Sequence, residues 1–230
     1  MKNLAIIPAR GGSKRIPRKN IKDFLGKPII AYPIQAALDS GLFEEVMVST
    51  DDEEIAEVAT RFGAKVPFLR SASASDDFAS TAAVLEEVLS SYKETGKEFS
   101  HGCCIYPTAP FTTAARLHEG YLKLTESDFD TVFPVLRFGY PILRSLNIGD
   151  GKVAMNWPEH LNSRSQDLPA AFHDAGQFYW FQTERFLQQG KLFTANSGAM
   201  EVSELEAQDI DTETDWKLAE LKYRLMHGIE

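Results

Sequence analysis

One stretch of this sequence decides the rest of the fold: Ile6-Ile7-Pro8-Ala9-Arg10-Gly11-Gly12-Ser13-Lys14-Arg15-Ile16-Pro17-Arg18-Lys19-Asn20. The apolar run from Leu4 to Ile7 predicts a buried strand, and Pro8 followed by Gly11-Gly12 ends it in a loop. Glycines let backbone N–H groups approach an anion closely, and clustered cations neutralise it. The loop is therefore predicted to bind a triphosphate through its five basic residues, Arg10, Lys14, Arg15, Arg18 and Lys19.

The alternative is a solvated basic loop that binds nothing. The strand directly before the loop and the glycines inside it argue against that alternative. Gly11-Gly12-Ser13-Lys14 lacks the Gly-Lys-Ser/Thr ending of a Walker A loop, and the Rossmann pattern Gly-x-Gly-x-x-Gly is also absent. Neither of these two common phosphate-binding motifs therefore accounts for the loop.

The composition is that of a globular protein and favours one domain over residues 1–230. Of its 230 residues 43% are hydrophobic and 25% are charged, and the net charge is -9. An acidic chain is unsuited to general nucleic-acid binding, which needs a broad basic face. No run is long enough to span a membrane, and the N-terminus lacks the apolar core of a signal peptide. We expect a cytoplasmic protein whose adjacent Cys103 and Cys104 are reduced core residues.

Strand and helix signals alternate along the first half of the chain. Short strands are predicted at Val46 to Val48, Lys65 to Leu69 and His101 to Tyr106, with helical spacing between them. This order is typical of an α/β fold in which helices cover both faces of a mostly parallel sheet. Ligands of such sheets bind outside the carboxyl ends of the strands. The basic loop, the loop at 71–80 and the loop at 107–110 are all predicted at that edge.

From Arg137 the alternation stops, and the segment to about Phe172 leaves the sheet. Tyr140 to Leu146 and Lys152 to Met155 flank Gly149-Asp150-Gly151, which predicts a hairpin. The apolar content of this excursion would expose a patch larger than soluble monomers usually carry. We therefore expect the excursion, about 137–172, to form a homodimer.

Asp209 and Asp211 are two residues apart, so in an extended segment both carboxylates point to one face. Two neighbouring carboxylates repel each other, and a divalent cation relieves that cost. Such a pair is suited to holding Mg2+ against substrate phosphates. The alternative is that the two aspartates only cap the last helix together with Thr212 and Thr214. The triphosphate loop elsewhere in the chain favours the metal site.

The remaining candidates for chemistry are weaker. Ser75-Asp76-Asp77 and Ser80-Thr81 are compatible with an ordinary helix start. His173-Asp174 is a possible catalytic dyad, although adjacent residues of a strand point to opposite faces. No Gly-x-Ser-x-Gly elbow and no Cys/His set with metal-ligand spacing occurs, so covalent nucleophilic catalysis has no support.

With these residues assembled, the chain resembles the CMP-nonulosonate cytidylyltransferases, the family that activates sialic acids. The resemblance runs in order along nearly the whole chain and includes residues 7–14, Pro17, Lys19-Asn20, 48–51, Ser75-Asp76, Pro107-Thr108 and 209–211. Within the family, residues 106–110 and 173–180 are similar to the pseudaminic acid branch. Where the sialic acid branch has Gln before Pro-Thr and an Arg-Pro-x-Gly motif, this chain has Tyr106 and His173-Asp174-Ala175-Gly176.

The resemblance implies a Rossmann-like nucleotidyltransferase fold and a role for each matching residue. The implied nucleotide-binding residues are Ala9, Arg10, Gly11, Ser13, Lys14, Lys19, Asn20, Ser80 and Thr81. Those implied to bind the sugar are Tyr106, Pro107, Thr108, His173, Gln177 and Tyr179. Arg10, Lys19, Asp209 and Asp211 are implied to be catalytic, and the two aspartates to hold Mg2+.

The reaction implied is the transfer of CMP from CTP to a nine-carbon 2-keto sugar acid, with release of pyrophosphate. Pseudaminic acid is the expected substrate, and the product is expected to serve surface glycan or flagellin glycosylation. CMP-sialic or CMP-legionaminic acid synthesis is the alternative within the family. A catalytically inactive nucleotide-binding regulator is the alternative from another class, and the intact aspartate pair argues against it.

Overall fold

The computed structural model describes residues 2–71, 74 and 79–229. Its strands, in chain order, are β1 (Asn3–Pro8), β2 (Asp23–Phe24), β3 (Lys27–Pro28), β4 (Glu45–Ser49), β5 (His101–Ile105), β6 (Thr131–Arg137), β7 (Leu146–Gly149), β8 (Lys152–Met155), β9 (Phe172–Asp174), β10 (Phe178–Gln182) and β11 (Ser197–Val202). Its α-helices are α1 (Ala31–Ser40), α2 (Glu53–Arg61), α3 (Thr81–Glu94), α4 (Ala114–Glu126), α5 (Thr183–Gln189) and α6 (Glu213–His227).

Seven strands form the central sheet in the order β11-β6-β10-β5-β1-β4, with β9 also paired to β6. The pairs β1–β4, β1–β5 and β6–β11 are parallel, whereas β10 runs antiparallel to both of its neighbours and β9 runs antiparallel to β6. The predicted α/β architecture with a mainly parallel sheet is confirmed.

Strand β1 lies inside the sheet and is buried on both faces. Ala5 and Ile7 belong to one core cluster, which they share with buried residues of helices α1, α2 and α4. Leu4 and Ile6 belong to a second cluster, shared with helices α3 and α5. Because successive strand residues point to opposite faces, this division places helices on both sides of the sheet. The continuous apolar run that predicted the strand follows from this two-sided burial.

A third apolar cluster joins the two ends of the chain. It combines Ile16 of the basic loop, Phe24 of β2, Ile210 of the segment before helix α6 and Trp216 in the first turns of that helix, each at most 3% exposed. Phe24 and Trp216 pack edge to face, with ring centroids 5.6 Å apart. Helix α6 is therefore fixed beside the basic loop by apolar packing, and the segment before it is carried to the same place.

Two predictions about individual strands had different outcomes. The predicted strand from Lys65 to Leu69 is wrong: Lys65 makes only an isolated bridge to Met47, and the segment continues as a loop. The predicted hairpin is confirmed in its turn and its second strand, since β7 and β8 pair antiparallel through Asp150-Gly151. Both turn residues have positive φ, 52° and 73°, as the tight turn of a two-residue hairpin requires. Its first strand was predicted wrongly: it is Leu146–Gly149 and not Tyr140 to Leu146, because Ile142–Arg144 form a 3-10 turn.

A helix can span a membrane only if it is long and apolar enough. Within residues 2–71, 74 and 79–229, every helix is too short or too polar to cross a bilayer.

Candidate active site

The site begins where β1 ends at the carboxyl edge of the sheet. Polar contacts then shape the loop that follows. The Gly11 backbone N–H donates to Asp51 Oδ1 (3.0 Å), and Asn20 Nδ2 donates to the Arg10 carbonyl oxygen (2.9 Å). A Cβ on Gly11 would lie 2.6 Å from Asp52 Oδ2 and 3.1 Å from Asp52 Cβ, so a side chain here would force the Asp52 carboxylate to shift. The first glycine of the loop therefore allows close contact with the residue that begins helix α2.

A cavity of about 470 Å³ opens beneath the loop. It is lined by Pro8, Arg10, Ser13, Lys14, Arg15, Ile16, Lys19, Asn20, Tyr106, Pro107, Thr108 and Asp211. The structure thus brings together the basic loop, the Tyr-Pro-Thr segment after β5 and one of the two predicted metal ligands. Four cationic side chains in one cavity favour a polyanionic ligand.

Arg18 is the exception among the five basic residues of the loop. Its guanidinium donates to the carboxylates of Asp52 and Glu54 at the start of helix α2, and the NH2–Oδ1 distance to Asp52 is 2.9 Å. Arg18 also has a left-handed backbone, with φ of 55°. Arg18 lies outside the cavity lining, and its charge attaches the loop to helix α2.

Asp211 faces the basic loop. Its Oδ1 lies 2.8 Å from Arg15 NH2 and 3.6 Å from Lys19 Nζ, and Lys19 Nζ also donates to the carbonyl oxygen of Ile210 (2.6 Å). Asp209 lies outside the cavity lining, and the residue as a whole is exposed. Partial burial of its carboxyl group and the charge of Asp211 raise the pKa of Asp209 above its ordinary value. The charge of Asp211 thus disfavours ionised Asp209, and a bound cation would relieve such repulsion.

The carboxylates of Asp209 and Asp211 limit which metal ions could bind here. Among residues 2–71, 74 and 79–229, no group of three or more His, Cys, Asp or Glu side chains converges on a point. Two carboxylates are too few for a cage made of protein ligands alone. They suit a hard cation such as Mg2+, which keeps several waters and binds through one or two carboxylates together with substrate phosphates.

A second cavity, of about 250 Å³, shares Pro8, Arg10 and Tyr106 with the first. Arg70 and Thr81 lie in its wall. Arg70 is buried, and its Nε donates to Ser49 Oγ (3.0 Å) while its NH2 donates to the Ser49 carbonyl oxygen. Burial lowers the pKa of Arg70 below its ordinary value. Sequence reasoning missed Arg70, and the only signal was an isolated Arg after the apolar Phe68 and Leu69.

Tyr106 lies in the walls of both cavities. Its hydroxyl is 3.5 Å from Thr81 Oγ1, and its ring lies 5.3 Å from the ring of Tyr179. Tyr179 is 2% exposed, and its hydroxyl donates to Asp174 Oδ2. Burial raises the pKa of both tyrosines above the ordinary value, so both remain protonated at neutral pH. Asp174, which the sequence suggested only as half of a dyad with His173, therefore contacts Tyr179 instead.

The remaining residues that the resemblance implies to bind the nucleotide or the sugar lie in different surroundings. Pro107 and Thr108 line the first cavity, and Ala9 is fully buried and outside its lining. Ser80 is the N-cap of helix α3, where its Oγ accepts from the Ala83 N–H. Gln177 is 3% exposed, and its amide donates to the Glu206 carbonyl oxygen.

His173 is exposed, and its Nδ1 lies 2.9 Å from the Asp174 carbonyl oxygen. The Ser75-Asp76 motif falls outside the described residues. Cys103 and Cys104 are buried free thiols in β5, and burial raises the pKa of each.

The sequence model of the cytidylyltransferase family matches residues 4–220, which is nearly the whole chain. This chain belongs to the cytidylyltransferase family. The membership agrees with the site, because a cytidylyltransferase is a nucleotidyltransferase and needs a cationic pocket for the phosphates of its nucleotide.

Individual relatives cover the same span. The chain is 44% identical over 228 residues to the pseudaminic acid cytidylyltransferase of Campylobacter jejuni subsp. jejuni serotype O:2, covering 99% of this chain and 98% of the relative. It is 31% identical over 228 residues to the CMP-N,N'-diacetyllegionaminic acid synthase of Legionella pneumophila subsp. pneumophila, covering 96% of this chain and 95% of that one.

A solved structure agrees in fold. The structure of CMP:2-keto-3-deoxy-manno-octonic acid synthetase complexed with CTP superposes with a TM-score of 0.69 at 17% identity, covering 99% of this chain and 100% of that one. At this identity the likeness concerns the fold, which this cytidylyltransferase therefore shares with a nucleotidyltransferase.

Proposed function

We propose that this protein transfers CMP from CTP to the anomeric hydroxyl of a nine-carbon 2-keto sugar acid and releases pyrophosphate. We further propose pseudaminic acid as the sugar. The observation that carries the proposal is the cavity of about 470 Å³, in which cations of the basic loop, the Tyr106-Pro107-Thr108 segment and Asp211 meet. The relative from Campylobacter jejuni, 44% identical along nearly its whole length, supports the choice of sugar.

The nucleotide would occupy both cavities. The cations of the first cavity, Arg10, Lys14, Arg15 and Lys19, would bind the triphosphate. The second cavity would take the cytosine, because it is smaller and shares Pro8, Arg10 and Tyr106 with the first. Arg70 is held there by two hydrogen bonds to Ser49, so its remaining N–H groups have a fixed direction.

Asp211 and Asp209 would hold Mg2+ between the protein and the phosphates. Enzymes that use CTP in this way generally need a divalent metal. When bound, the cation supplies charge neutralisation on the triphosphate and orientation of its oxygens. Its arrival would also release Arg15 and Lys19 from Asp211, since both cations lie within 4 Å of that carboxylate. Those two cations would then be free to contact the phosphates.

The protein's contribution to the reaction is positioning and charge. The sugar hydroxyl attacks the α-phosphorus in line, and pyrophosphate leaves as its negative charge grows. Lys19 and Arg10 lie in the cavity wall, where they can neutralise that charge in the transition state. The scheme requires no covalent enzyme intermediate. Holding two substrates at reacting distance provides a large share of the rate enhancement.

The preference for pseudaminic acid rests on the side chains that face the sugar. Tyr106 offers one hydroxyl and a large apolar face where the sialic acid branch is expected to have Gln. Pseudaminic acid carries a second acylamino group and ends in a methyl group, so it presents more apolar surface than sialic acid. Sialic acid would leave hydroxyls unpaired in such a site, at a cost of roughly 1–3 kcal/mol each.

We also propose that the whole chain acts as one domain and that it works in the cytoplasm as a homodimer. The hairpin of β7 and β8 supports the dimer: Leu146, Ile148 and Val153 are 58%, 79% and 61% exposed. Exposed apolar side chains gathered on one hairpin favour an interface between protein chains.

The experiment is an assay of pyrophosphate release by the purified protein with Mg2+. It is run with CTP and a panel of pseudaminic, legionaminic and sialic acids, with ATP, GTP and UTP as nucleotide controls. We expect release only with CTP and fastest with pseudaminic acid. Release with another nonulosonic acid alone would support the family alternative. CTP binding without release under any condition would support the inactive regulator and contradict the proposal.

A further inference from the structure

We propose that Gln177 and Lys222 are positioning residues that hold the loop carrying Asp209 and Asp211, so that the two carboxylates are already arranged for a divalent cation when it binds. This inference rests on the proposed function, because it concerns the site that this function gives to Mg2+. It replaces the role that the resemblance implies for Gln177, which is to bind the sugar.

Residues 207–211, which we call the aspartate loop, lie between the 3-10 turn Glu204–Glu206 and helix α6. Because a loop lacks the repeated backbone hydrogen bonds of a helix or strand, its conformation depends on packing and on side chains that bind its backbone groups. Ala207 and Ile210 are each 1% exposed and belong to two different apolar clusters. Asp209 and Asp211 flank Ile210, so the position of this backbone determines where the two carboxylates lie.

Gln177 binds the residue directly before the aspartate loop. It is 3% exposed, and its Nε2 donates to the carbonyl oxygen of Glu206. Its own carbonyl oxygen accepts the Tyr106 backbone N–H (2.8 Å), and strand β10 begins at the next residue. The amide group of Gln177 is therefore held in place by the central sheet. Gln177 also lies outside the lining of both cavities, which places its side chain at the loop and away from the sugar.

Lys222 binds the following carbonyl oxygen from a different element. It is half-buried on helix α6, and its Nζ donates to the carbonyl oxygen of Ala207 (2.9 Å). Helix α6 also contacts the other end of the loop, where Asp215 Oδ2 accepts the Asp211 backbone N–H (3.1 Å). Two successive carbonyl oxygens, those of residues 206 and 207, are thus bound by donors that the sheet and the helix hold in place.

These contacts affect how much order a cation must impose when it binds. Two carboxylates bind one cation only when both are brought to it, and ordering a free loop costs conformational entropy. Contacts that fix the loop in advance remove that cost from the binding step. Without one of the two donors, Asp209 and Asp211 would remain, but the aspartate loop would have to become ordered as the cation binds. We therefore expect loss of either donor to weaken Mg2+ binding and to leave the groups that contact CTP and the sugar unchanged.

The experiment measures CTP binding by calorimetry over a range of Mg2+ concentrations, without sugar, so that no transfer takes place. Gln177→Met and Lys222→Met each keep a side chain of similar length and remove the donor. We expect each variant to need about three to ten times more Mg2+ than wild type for half of the maximal gain in CTP affinity, the usual effect of one hydrogen bond. Without Mg2+ and at saturating Mg2+, the CTP affinity should stay within about twofold of wild type, because only the metal step is changed. A general loss of structure would instead weaken CTP binding at every Mg2+ concentration.

A second measurement separates this role from sugar binding. At saturating Mg2+, the KM of Gln177→Met for pseudaminic acid should stay within about twofold of wild type. Gln188→Met and Lys217→Met remove the same groups at exposed positions of helices α5 and α6 and should match wild type throughout.

The half-buried Lys222 allows a test of the aspartate loop even if Gln177→Met does not fold, and Lys222→Met then decides the inference. Wild-type CTP binding that does not respond to Mg2+, or an unchanged Mg2+ requirement in the folded variants, would overturn the inference. A higher sugar KM in Gln177→Met at saturating Mg2+ would overturn it as well. A wild-type protein that neither binds CTP nor releases pyrophosphate would instead overturn the proposed function.

Discussion

Asp211 lies at the contact between the two ends of the chain. Its carboxylate is within 4 Å of cationic groups of Arg15 and Lys19, about 190 residues earlier in the sequence. Hydrogen bonding of Lys19 to the Ile210 carbonyl oxygen and burial of Ile16 against Ile210 hold the contact from two sides. Packing within the protein alone therefore places Asp211, the predicted metal ligand, beside the basic loop.

The first prediction concerns the two aspartates, Asp209 and Asp211. Asp209→Asn and Asp211→Asn each remove one charge while keeping the shape, and we expect turnover to fall by about two orders of magnitude or more, since charge stabilisation at phosphates contributes that much. The loss should be measured as kcat over a range of Mg2+ concentrations. Glu213→Gln, at an exposed carboxylate paired with Lys22, is the matched control. Wild-type rates in both Asp variants at saturating Mg2+ would show that the pair is not the metal site.

Single residues differed in how far the sequence could predict them. The presence of Arg10, Lys14 and Lys19 at the site could be predicted from a glycine-containing loop after a strand, and all three line the cavity. The use of Arg18 could not be predicted, because it depends on a positive φ and on carboxylates at the start of helix α2. Arg70 could not be predicted either, since only the folded chain shows that its guanidinium is buried against Ser49.

At the scale of elements, a buried carboxylate ties strand β4 to its surroundings. Glu45 is 5% exposed and accepts from the hydroxyl of Tyr92 in helix α3, from Lys97 Nζ (3.0 Å) and from Lys65 Nζ (3.2 Å). Burial raises the pKa of Glu45, but the hydrogen bonds from Tyr92, Lys97 and Lys65 outweigh it, so the net pKa lies below the ordinary value. The ionised form is thus the one that stabilises the fold.

A pH dependence of stability follows from this network. Because the folded pKa of Glu45 is depressed, its contribution is complete above the unfolded value of about 4.3 and is lost as pH falls through the folded pKa. We expect Glu45→Gln to lower the free energy of unfolding by about 1–3 kcal/mol at neutral pH. The difference from wild type should shrink in acid.

Denaturant unfolding of both proteins between pH 7 and pH 3 measures this difference. Glu44→Gln, one residue earlier and exposed, is the control and should match wild type at every pH. A Glu45→Gln deficit that stays constant across the range would mean that the charge of Glu45 contributes nothing.

Elements were predicted best where a local pattern determines them. The apolar run of β1 and the Gly-Asp-Gly turn of the hairpin each predicted the right element. Burial of a strand requires a run of apolar residues, and a turn with positive φ favours glycine, so both features are visible in a short stretch of sequence. The failed strand at Lys65 to Leu69 has strand-like composition but pairs only at Lys65. The antiparallel direction of β10 and the docking of helix α6 depend on contacts between distant segments, which no local pattern reports.

At the scale of the whole molecule, the hairpin of β7 and β8 presents one apolar face. Ile148 is opposite Val153 and Leu146 is opposite Met155, so the four side chains share that face because side chains alternate along a strand. Ile148 is 79% and Val153 is 61% exposed. Lys152, which pairs with Gly149, belongs to the opposite face. A one-sided apolar hairpin projecting from a sheet is suited to pack against a second copy of itself.

The homodimer is tested by charging that face. We expect the wild-type protein to be a dimer by light scattering at micromolar concentration and Ile148→Lys to be a monomer, because a buried unpaired charge costs several kcal/mol. Lys152→Glu changes charge on the opposite face of the same hairpin and should remain dimeric. A monomeric wild-type protein, or an Ile148→Lys protein that stays dimeric, would place the apolar face outside any dimer interface.

The most direct test of the central claim is the ratio of two specificity constants. The rate of pyrophosphate release is measured at saturating CTP and Mg2+ while the concentration of pseudaminic acid or of sialic acid is varied. The account predicts that kcat/KM for pseudaminic acid exceeds that for sialic acid by about one to two orders of magnitude for each hydroxyl left unpaired near Tyr106. Equal kcat/KM for the two sugars, or no release with either, would contradict it.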